Sequence, residues 1–247
     1  MQRFANPTIF LKIADAVLPW LVGLTVLALG VGLYMAFFVA PPDYQQGETV
    51  RIMFIHVPSV LLAMAVYLFI AGAAAGSLIW RHPLADVAAK VAAPIGLCFT
   101  AVGLVTGMLW GKPMWGAYWV WDARLTSFLF LFFLYLGLIA LCQAIEEPSR
   151  AGRAAAVLAL VGVVNIPIIK FSVDWWNTLH QPASIVRLDG PAIDASMLVP
   201  LLVMIAGFFL FFLSLQLVSM KAELLRRRVH AMQAAKVTRA MEAQVVS

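Results

Sequence analysis

Residues 125–145 read LTSFLFLFFLYLGLIALCQAI, a run of 21 residues without a charged side chain. A helix needs about 20 apolar residues to cross a bilayer, so this run predicts a membrane span. Further uncharged runs occupy 16–42, 52–80, 91–111, 154–169 and 195–220. The shortest, 154–169, reaches spanning length if Lys170 extends its side chain to the headgroups. The sequence therefore predicts an all-α integral membrane protein with six transmembrane helices.

The composition agrees with this fold class and excludes an ordinary soluble domain. Hydrophobic residues make up 63% of the 247 residues and charged residues only 12%, against about a quarter charged in soluble domains. The alternation of apolar and polar residues that is typical of membrane β-barrels is absent. We expect one membrane domain over 1–247, with approximate spans at 17–40, 53–80, 88–110, 125–145, 154–171 and 196–220.

The basic residues predict the orientation of the chain. Twelve of the 17 Lys and Arg residues lie in four segments that share one side, namely 1–15, 81–90, 146–153 and 221–247. The positive-inside rule then places both termini in the cytoplasm and the loops 41–55, 111–124 and 170–196 outside. Scattered basic residues give no nucleic-acid surface. The basic tail 221–247 is interpreted as a topology anchor or as a docking surface for a cytoplasmic partner.

The outward loops are rich in tryptophan. Loop 111–124 reads GKPMWGAYWVWDAR and follows Trp110, so four of the eight tryptophans of the chain lie within twelve residues. Loop 170–196 adds Trp175 and Trp176. An aromatic belt at the membrane surface accounts for one or two such residues at a helix end. It does not account for four, which indicates a flat aromatic binding surface.

Two of the four histidines lie on the same outward side. His56 precedes Pro58 at the start of the second span, and His180 follows the sequence WWNTL in the last outward loop. Each alone is as well explained by a structural hydrogen bond as by a ligand role. His82 and His230 lie on the inward side and are interpreted as solvated surface residues.

Together, the two outward histidines and the tryptophan loop favour a metal-porphyrin site. Imidazole nitrogens are common axial ligands of haem iron, and indole faces suit a large flat ring. Haem propionates are anionic and require cations. The cations available on the outward side are Arg51, Lys112, Arg124 and Arg187.

Other chemistries lack their sequence signatures. The chain has no G-x-S-x-G, H-E-x-x-H or G-x-x-x-x-G-K-[ST] motif, so we expect no hydrolase and assign any ATP hydrolysis to another chain. Cys98 and Cys142 form no C-x-x-C-H motif, which excludes covalent c-type haem attachment at a recognisable motif.

The stretch WGAYWVWDARLT at 115–126 matches the tryptophan-rich WWD signature, W-G-x-x-W-x-W-D-x-R-L-T. The chain as a whole resembles the haem exporter protein C (CcmC) family of bacterial cytochrome c maturation. The resemblance extends to 40–47, 51–58, 162–169 and 175–181, and it is good over roughly 15–182. The last helix and the tail resemble the family only in character.

The resemblance implies a multi-pass protein of the bacterial inner membrane that holds haem b non-covalently at its periplasmic face, with His56 and His180 as axial ligands. The residues that it assigns to the haem platform are Trp110, Trp115, Gly116, Tyr118, Trp119, Trp121, Asp122 and Arg124, with further contacts from Trp175, Trp176 and Asn177. It also implies the partners of the family: the haem chaperone CcmE, the ATPase CcmA, the membrane subunit CcmB and the small single-helix protein CcmD.

Two roles for Asp122 and Arg124 stay open at this level. They could pair with each other at the outer end of the fourth span and set the exit angle of the loop, or Arg124 could hold a propionate. Alternative functions are also open: a haem-transporting permease subunit, a bis-histidine electron-transfer cytochrome, a secondary transporter, or a purely structural subunit. Family members are not enzymes in the usual sense, although they could promote covalent attachment of haem to the chaperone.

Overall fold

The structure is a computed structural model that describes residues 6–176, 178–180, 185 and 190–246, and their side chains apart from those of 237 and 239–246. Over these ranges, six helical stretches are long and apolar enough to cross a membrane, which confirms the predicted fold class. They cover Pro7–Val39, Glu48–Trp80, Pro83–Trp115, Ala123–Ala144, Pro148–Trp175 and Ala195–Lys236.

The helices that form these stretches are α1 (Pro7–Tyr34), α2 (Met53–Trp80), α3 (Pro83–Trp115), α4 (Ala123–Ala144), α5 (Pro148–Gly162), α6 (Asn165–Trp175) and α7 (Ala195–Val246). A π-helical turn, Met35–Val39, extends α1, and a 3-10 turn, Glu48–Ile52, precedes α2. α5 and α6 follow each other as the two halves of the fifth span. α7 continues without a break through the basic segment that the sequence marks as a tail.

Short polar residues and a proline begin three of the helices. The Asn6 side chain accepts a hydrogen bond from the Thr8 N–H at 2.9 Å and caps α1. Pro83 occupies the first turn of α3, where its missing N–H has no cost. The Asp122 carboxylate accepts from the Leu125 N–H at 2.7 Å and caps α4. Asp122 therefore opens the fourth span, as the sequence predicts.

The end of α3 corrects the predicted loop 111–124. The helix continues through Pro113 to Trp115, so Lys112 and Trp115 lie on its last turn and not in a loop. α3 ends at Gly116, whose φ of 75° is readily adopted by glycine and whose N–H donates to the Lys112 carbonyl at 3.0 Å. The loop itself is therefore only 116–122.

The fifth span is broken between α5 and α6. Pro167 has no N–H to donate to the Val163 carbonyl, which instead accepts from the Ile166 N–H at 3.0 Å. Asn165, buried at this break, donates through Nδ2 to the Ser127 carbonyl of α4 at 2.9 Å. This cross-helix bond satisfies a buried amide and ties the break to α4.

The main core lies between α2, α3, α4 and the fifth span, around two buried tyrosines. The rings of Tyr67 and Tyr135 meet edge to face with centroids 5.3 Å apart. The Tyr135 hydroxyl donates to the Ala63 carbonyl at 2.7 Å. Gly96 of α3 lies so close that a Cβ at this position would overlap the Tyr135 ring. The glycine therefore permits α3 and α4 to approach at this point.

α1 packs mainly on α7 and exposes apolar side chains elsewhere, including Trp20, which is 78% exposed. Such a surface suits contact with lipid.

Opposite the outward loops, a buried carboxylate joins α3 to α7. Glu223 accepts hydrogen bonds from Lys90 at 3.0 Å, from Arg226 at 2.8 Å and from Arg227 at 2.9 Å. Arg227 also reaches Asp86 at 3.1 Å. We call these five residues the Glu223 cluster, which fixes α7 against α3 at the end where the basic segment begins.

Candidate functional site

The candidate site lies at the end of the bundle where α2 and α4 begin and where α3 and α6 end. Both outward histidines are found there, His56 in the first turns of α2 and His180 in the segment after α6. α3 contacts both: Trp110 touches His56, and Trp115 touches His180. These tryptophans are five residues apart, which is about 7.5 Å along a helix axis.

His56 is oriented by a threonine of α3. Its Nδ1 lies 3.0 Å from Oγ1 of Thr106. The Thr106 hydroxyl has one hydrogen, which it donates to the Val102 carbonyl at 2.6 Å. The hydroxyl must then accept from His56, so Nδ1 holds the imidazole proton and the Nε2 lone pair is available for a ligand.

The His56 ring is also confined by packing. Its centroid lies 5.7 Å from that of Trp110 in an edge-to-face arrangement. The Trp110 Nε1–H donates to the Gln46 side chain at 2.8 Å, which fixes the indole. On α3, a Cβ at Gly107 would lie 3.0 Å from Cε1 of His56. The imidazole therefore has little freedom to move.

His180 is oriented by a carboxylate. Its Nδ1 lies 3.2 Å from Oδ2 of Asp122. Thr178 donates to the same oxygen at 2.8 Å and accepts from the His180 backbone N–H at 2.9 Å. Trp115 meets the imidazole edge to face at 4.8 Å between centroids. The side chain of Asp122 is only 9% exposed and that of His180 is 20% exposed.

The protonation states follow from these surroundings. Burial lowers the pKa of His180 below its ordinary value, and this outweighs the opposing effect of the Asp122 charge. Burial alone would raise the pKa of Asp122, but hydrogen bonds from Leu125, Thr178 and His180 lower it on balance. At neutral pH a neutral imidazole thus donates its Nδ1–H to an ionised carboxylate, and Nε2 is the nitrogen available to a metal.

The aromatic residues of the WWD loop form a partly exposed surface. The rings of Trp119 and Trp121 meet edge to face at 5.3 Å, and Trp121 is 78% exposed. Trp119 Nε1 is buried without a hydrogen-bond partner in the part of the chain that the structure describes. A buried donor without an acceptor is costly. A carboxylate of a bound molecule would satisfy it, so this donor fits an anionic group of a flat aromatic cargo such as haem.

The predicted cations have protein partners of their own. Arg51 pairs with Glu48 and donates to the Ala36 carbonyl at 2.6 Å, which joins the 3-10 turn before α2 to the π-helical turn that extends α1. Lys112 donates to the Gly116 carbonyl at 2.9 Å and lies 5.3 Å from the centroid of the half-exposed Tyr118 ring. Arg187 lies outside the described residues.

The structure does not pair Asp122 with Arg124. Arg124 donates to Ser172 Oγ at 3.3 Å and to the Lys170 carbonyl at 3.2 Å, so it ties α4 to α6. Asp122 is engaged by the residues around His180 instead. Of the two roles left open, the local ion pair is not formed, because each side chain bonds to a different neighbouring segment.

The end of α6 contributes two exposed indoles, Trp175 as its last residue and Trp176 directly after it. Trp175 stacks on Phe171 with centroids 5.5 Å apart and meets Trp176 edge to face at 5.7 Å. Asn177 lies outside the described residues.

Three residues that orient the site were not predicted. Thr178 has a local signal, because a threonine two residues before His180 can accept from its backbone N–H. Thr106 and Gln46 have none, since they lie 50 and 64 residues from the side chains that they contact.

The sequence matches the family model described as CcmC, heme exporter protein C, over residues 1–235. The chain belongs to the CcmC family. It is 60% identical over 235 residues to the heme exporter protein C of Bradyrhizobium diazoefficiens, covering 95% of this chain and 89% of that protein. It is 47% identical over 221 residues to the heme exporter protein C of Escherichia coli K12, covering 90% and 89%.

A mitochondrial protein of Marchantia polymorpha, named as ccmC-like and for cytochrome c biosynthesis, is 46% identical over 189 residues, covering 76% of this chain and 80% of that protein. As a CcmC member, the chain is a multi-pass membrane protein with a haem-handling role in cytochrome c maturation.

Proposed function

We propose that this CcmC chain binds haem b non-covalently at the periplasmic end of its helix bundle and presents it to the haem chaperone CcmE. The observation that supports this most is that His56 and His180 are oriented in the same way by their hydrogen bonds. Each uses Nδ1 in a hydrogen bond to a protein acceptor, and Nε2 of neither is bonded to any described residue. Neutral imidazoles oriented in this way are suited to the axial positions of a haem iron.

The surroundings of the histidines suit the rest of the haem. Trp110 and Trp115 lie against the two imidazoles, and Trp119 and Trp121 extend the apolar surface toward the solvent. The unpartnered indole N–H of Trp119 is a donor for a propionate. Further propionate contacts are proposed from Arg51, Lys112 and Arg124, whose present hydrogen bonds would be exchanged. Arg187, which lies outside the described residues, is proposed as a fourth cation.

The exposed rings provide a docking face for the chaperone. Tyr118, Trp121, Trp175 and Trp176 are all more than half exposed, and all lie on the segments that flank the site. We propose that CcmE approaches this face while the two histidines hold the iron. The haem would then pass to the chaperone, and the chain acts as a platform and not as a hydrolytic enzyme.

The remaining assignments follow from charge and family. The excess of Lys and Arg at the opposite end supports our proposal that both termini and the basic tail 221–247 lie in the cytoplasm of a bacterium and that the site faces the periplasm. We propose that 1–247 form one membrane domain that works with CcmB and CcmD, and that CcmA supplies ATP hydrolysis.

An optical spectrum tests the ligand assignment. The protein is purified in detergent, and its oxidised and dithionite-reduced spectra are compared with those of His56→Ala and His180→Ala. His230→Ala is the matched control, because this histidine is exposed on α7 beyond the Glu223 cluster. We expect a six-coordinate b-type spectrum in the wild type and in the control, and lower haem content with a changed spectrum in the two ligand variants.

Three results would argue against the proposal. A wild-type protein that stays colourless after haem is added would exclude a haem platform and favour a transporter. Unchanged haem content in His56→Ala and His180→Ala would exclude these residues as ligands. Fast reduction of the bound haem by quinol would favour the electron-transfer alternative.

A further inference from the structure

The two histidines differ in the residue that accepts their Nδ1 proton. The acceptor for His56 is the neutral Thr106 hydroxyl, whereas the acceptor for His180 is the Asp122 carboxylate. The histidines also differ in support. His56 is part of α2 and is packed between Trp110 and Gly107, while His180 follows α6 in a segment without regular structure at that point.

We propose that Asp122 is the positioning residue of His180, which fixes its ring with Nε2 toward the cargo and makes it the stronger of the two ligands. This inference rests on the proposed haem site and adds that its two histidine ligands differ in the strength with which they bind iron. In this proposal the aspartate of the WWD signature does not contact the iron itself. It influences iron binding by orienting His180.

The two carboxylate oxygens of Asp122 have separate tasks. Oδ1 accepts from the Leu125 N–H at 2.7 Å and caps α4. Oδ2 accepts from Thr178 at 2.8 Å and from His180 at 3.2 Å. Because α4 fixes one oxygen, the other is held at a defined place, and the imidazole that bonds to it is held as well.

The charge of the acceptor determines the strength of the ligand. A carboxylate that accepts the Nδ1–H of a ligating histidine fixes the tautomer and raises the basicity of Nε2. Charge-assisted hydrogen bonds are about twice as strong as neutral ones. Thr106 offers His56 only a neutral oxygen, so His56 gains orientation but little basicity. A more basic imidazole stabilises ferric over ferrous iron, and Asp122 therefore lowers the reduction potential of the bound haem.

The variant Asp122→Asn separates the two tasks of this residue. Asparagine caps helices about as well as aspartate, so α4 keeps its cap while His180 loses its charged acceptor. Thr106→Val is the comparison variant, because it removes the neutral acceptor of His56 and leaves that ring packed in α2. Thr178→Val is a second variant that weakens the hold on Oδ2 without changing Asp122 itself.

The measurements are the midpoint potential of the haem-loaded protein and the rate at which apomyoglobin removes its haem. Loss of a partner that orients a metal ligand typically costs 10–100-fold in affinity. We expect Asp122→Asn to speed haem loss by about 10-fold or more. A tenfold loss of ferric preference raises the potential by about 59 mV. Thr178→Val should shift both quantities in the same direction by less, and Thr106→Val should shift the potential least.

The results that would refute the positioning role differ from the results that would refute the proposed function. A colourless wild type refutes the haem site itself. A wild type with six-coordinate haem, together with an Asp122→Asn protein of unchanged potential and unchanged haem loss, refutes the positioning role alone. An equal or larger shift of the potential in Thr106→Val refutes the inequality of the ligands. Thermal unfolding of the haem-free variants shows whether the helix cap was retained.

Discussion

Gly107 offers a sharp test of the His56 side of the site, because a single methyl group there meets the imidazole. In Gly107→Ala the new Cβ would lie 3.0 Å from Cε1, 3.6 Å from Nδ1 and 3.9 Å from Nε2 of His56. Carbon atoms in contact prefer about 3.5–4.0 Å, so the ring must retreat by roughly 0.5 Å. That is about the tolerance within which a binding site must hold its ligands.

The His56 ring cannot retreat without losing its contact with Trp110 or its hydrogen bond to Thr106. Trp110 lies edge to face against it, and Thr106 accepts its Nδ1–H at 3.0 Å. We therefore expect haem affinity to fall about tenfold, which corresponds to about 1.4 kcal/mol. The fold should not suffer, because Gly107 lies inside α3 and alanine favours a helix interior over glycine by about 0.5–1 kcal/mol.

The assay compares haem per protein, from the pyridine haemochrome spectrum, with the thermal unfolding of the haem-free protein in detergent. Gly72→Ala is the matched control, since Gly72 lies inside α2 and a Cβ there meets nothing within 4 Å. We expect both variants to unfold within about 1 kcal/mol of the wild type, because the helix gain offsets the lost His56 contacts, and only Gly107→Ala to lose haem. Equal haem retention in the two variants would refute the contact between Gly107 and a haem-binding imidazole.

Three further predictions concern the core, the inward end and the docking face. Gly96→Ala should lower the free energy of unfolding by about 1–3 kcal/mol, because its Cβ overlaps the buried Tyr135 ring; thermal unfolding beside Gly72→Ala measures this. Glu223→Gln should cost about 1 kcal/mol, since three cations lose their shared carboxylate, and the deficit measured by thermal unfolding should shrink in 1 M salt. Trp121→Ala should weaken crosslinking of the chain to CcmE, whereas Trp20→Ala, equally exposed at 78% but on α1, should not.

The membrane fold was predictable because its physical signal is local. Uncharged runs mark each of the six spans, five of them at full spanning length, and Asp122 marks the start of α4 through its ability to cap. The end of α3 was misplaced because the predicted span ends with the uncharged run, just before Lys112 and Pro113. Proline lacks only one hydrogen bond, however, and near a helix end the remaining bonds continue the helix until Gly116 adopts a positive φ.

The site was predictable in its residue types but not in its connections. Histidines and tryptophans on outward segments are visible in the sequence. They indicate a haem site because few other functions require that combination. The residue that accepts the Nδ1 proton of each imidazole was not predictable, since Thr106 and Asp122 lie 50 and 58 residues from their histidines. Arg124 shows the same limit: its nearest acidic neighbour in sequence is Asp122, but the fold turns it toward α6.

The two histidines are held in place by different means, and in this structure the aspartate of the WWD signature provides one of them. A histidine inside a helix, such as His56, is positioned by its own backbone and by packing against α3. A histidine outside a helix, such as His180, needs an acceptor that is itself fixed. Asp122 is fixed because it caps α4, so the start of the fourth span and the orientation of His180 depend on one carboxylate. A change that moves the start of α4 must therefore also move His180, whereas His56 is attached to α2 and would be left in place.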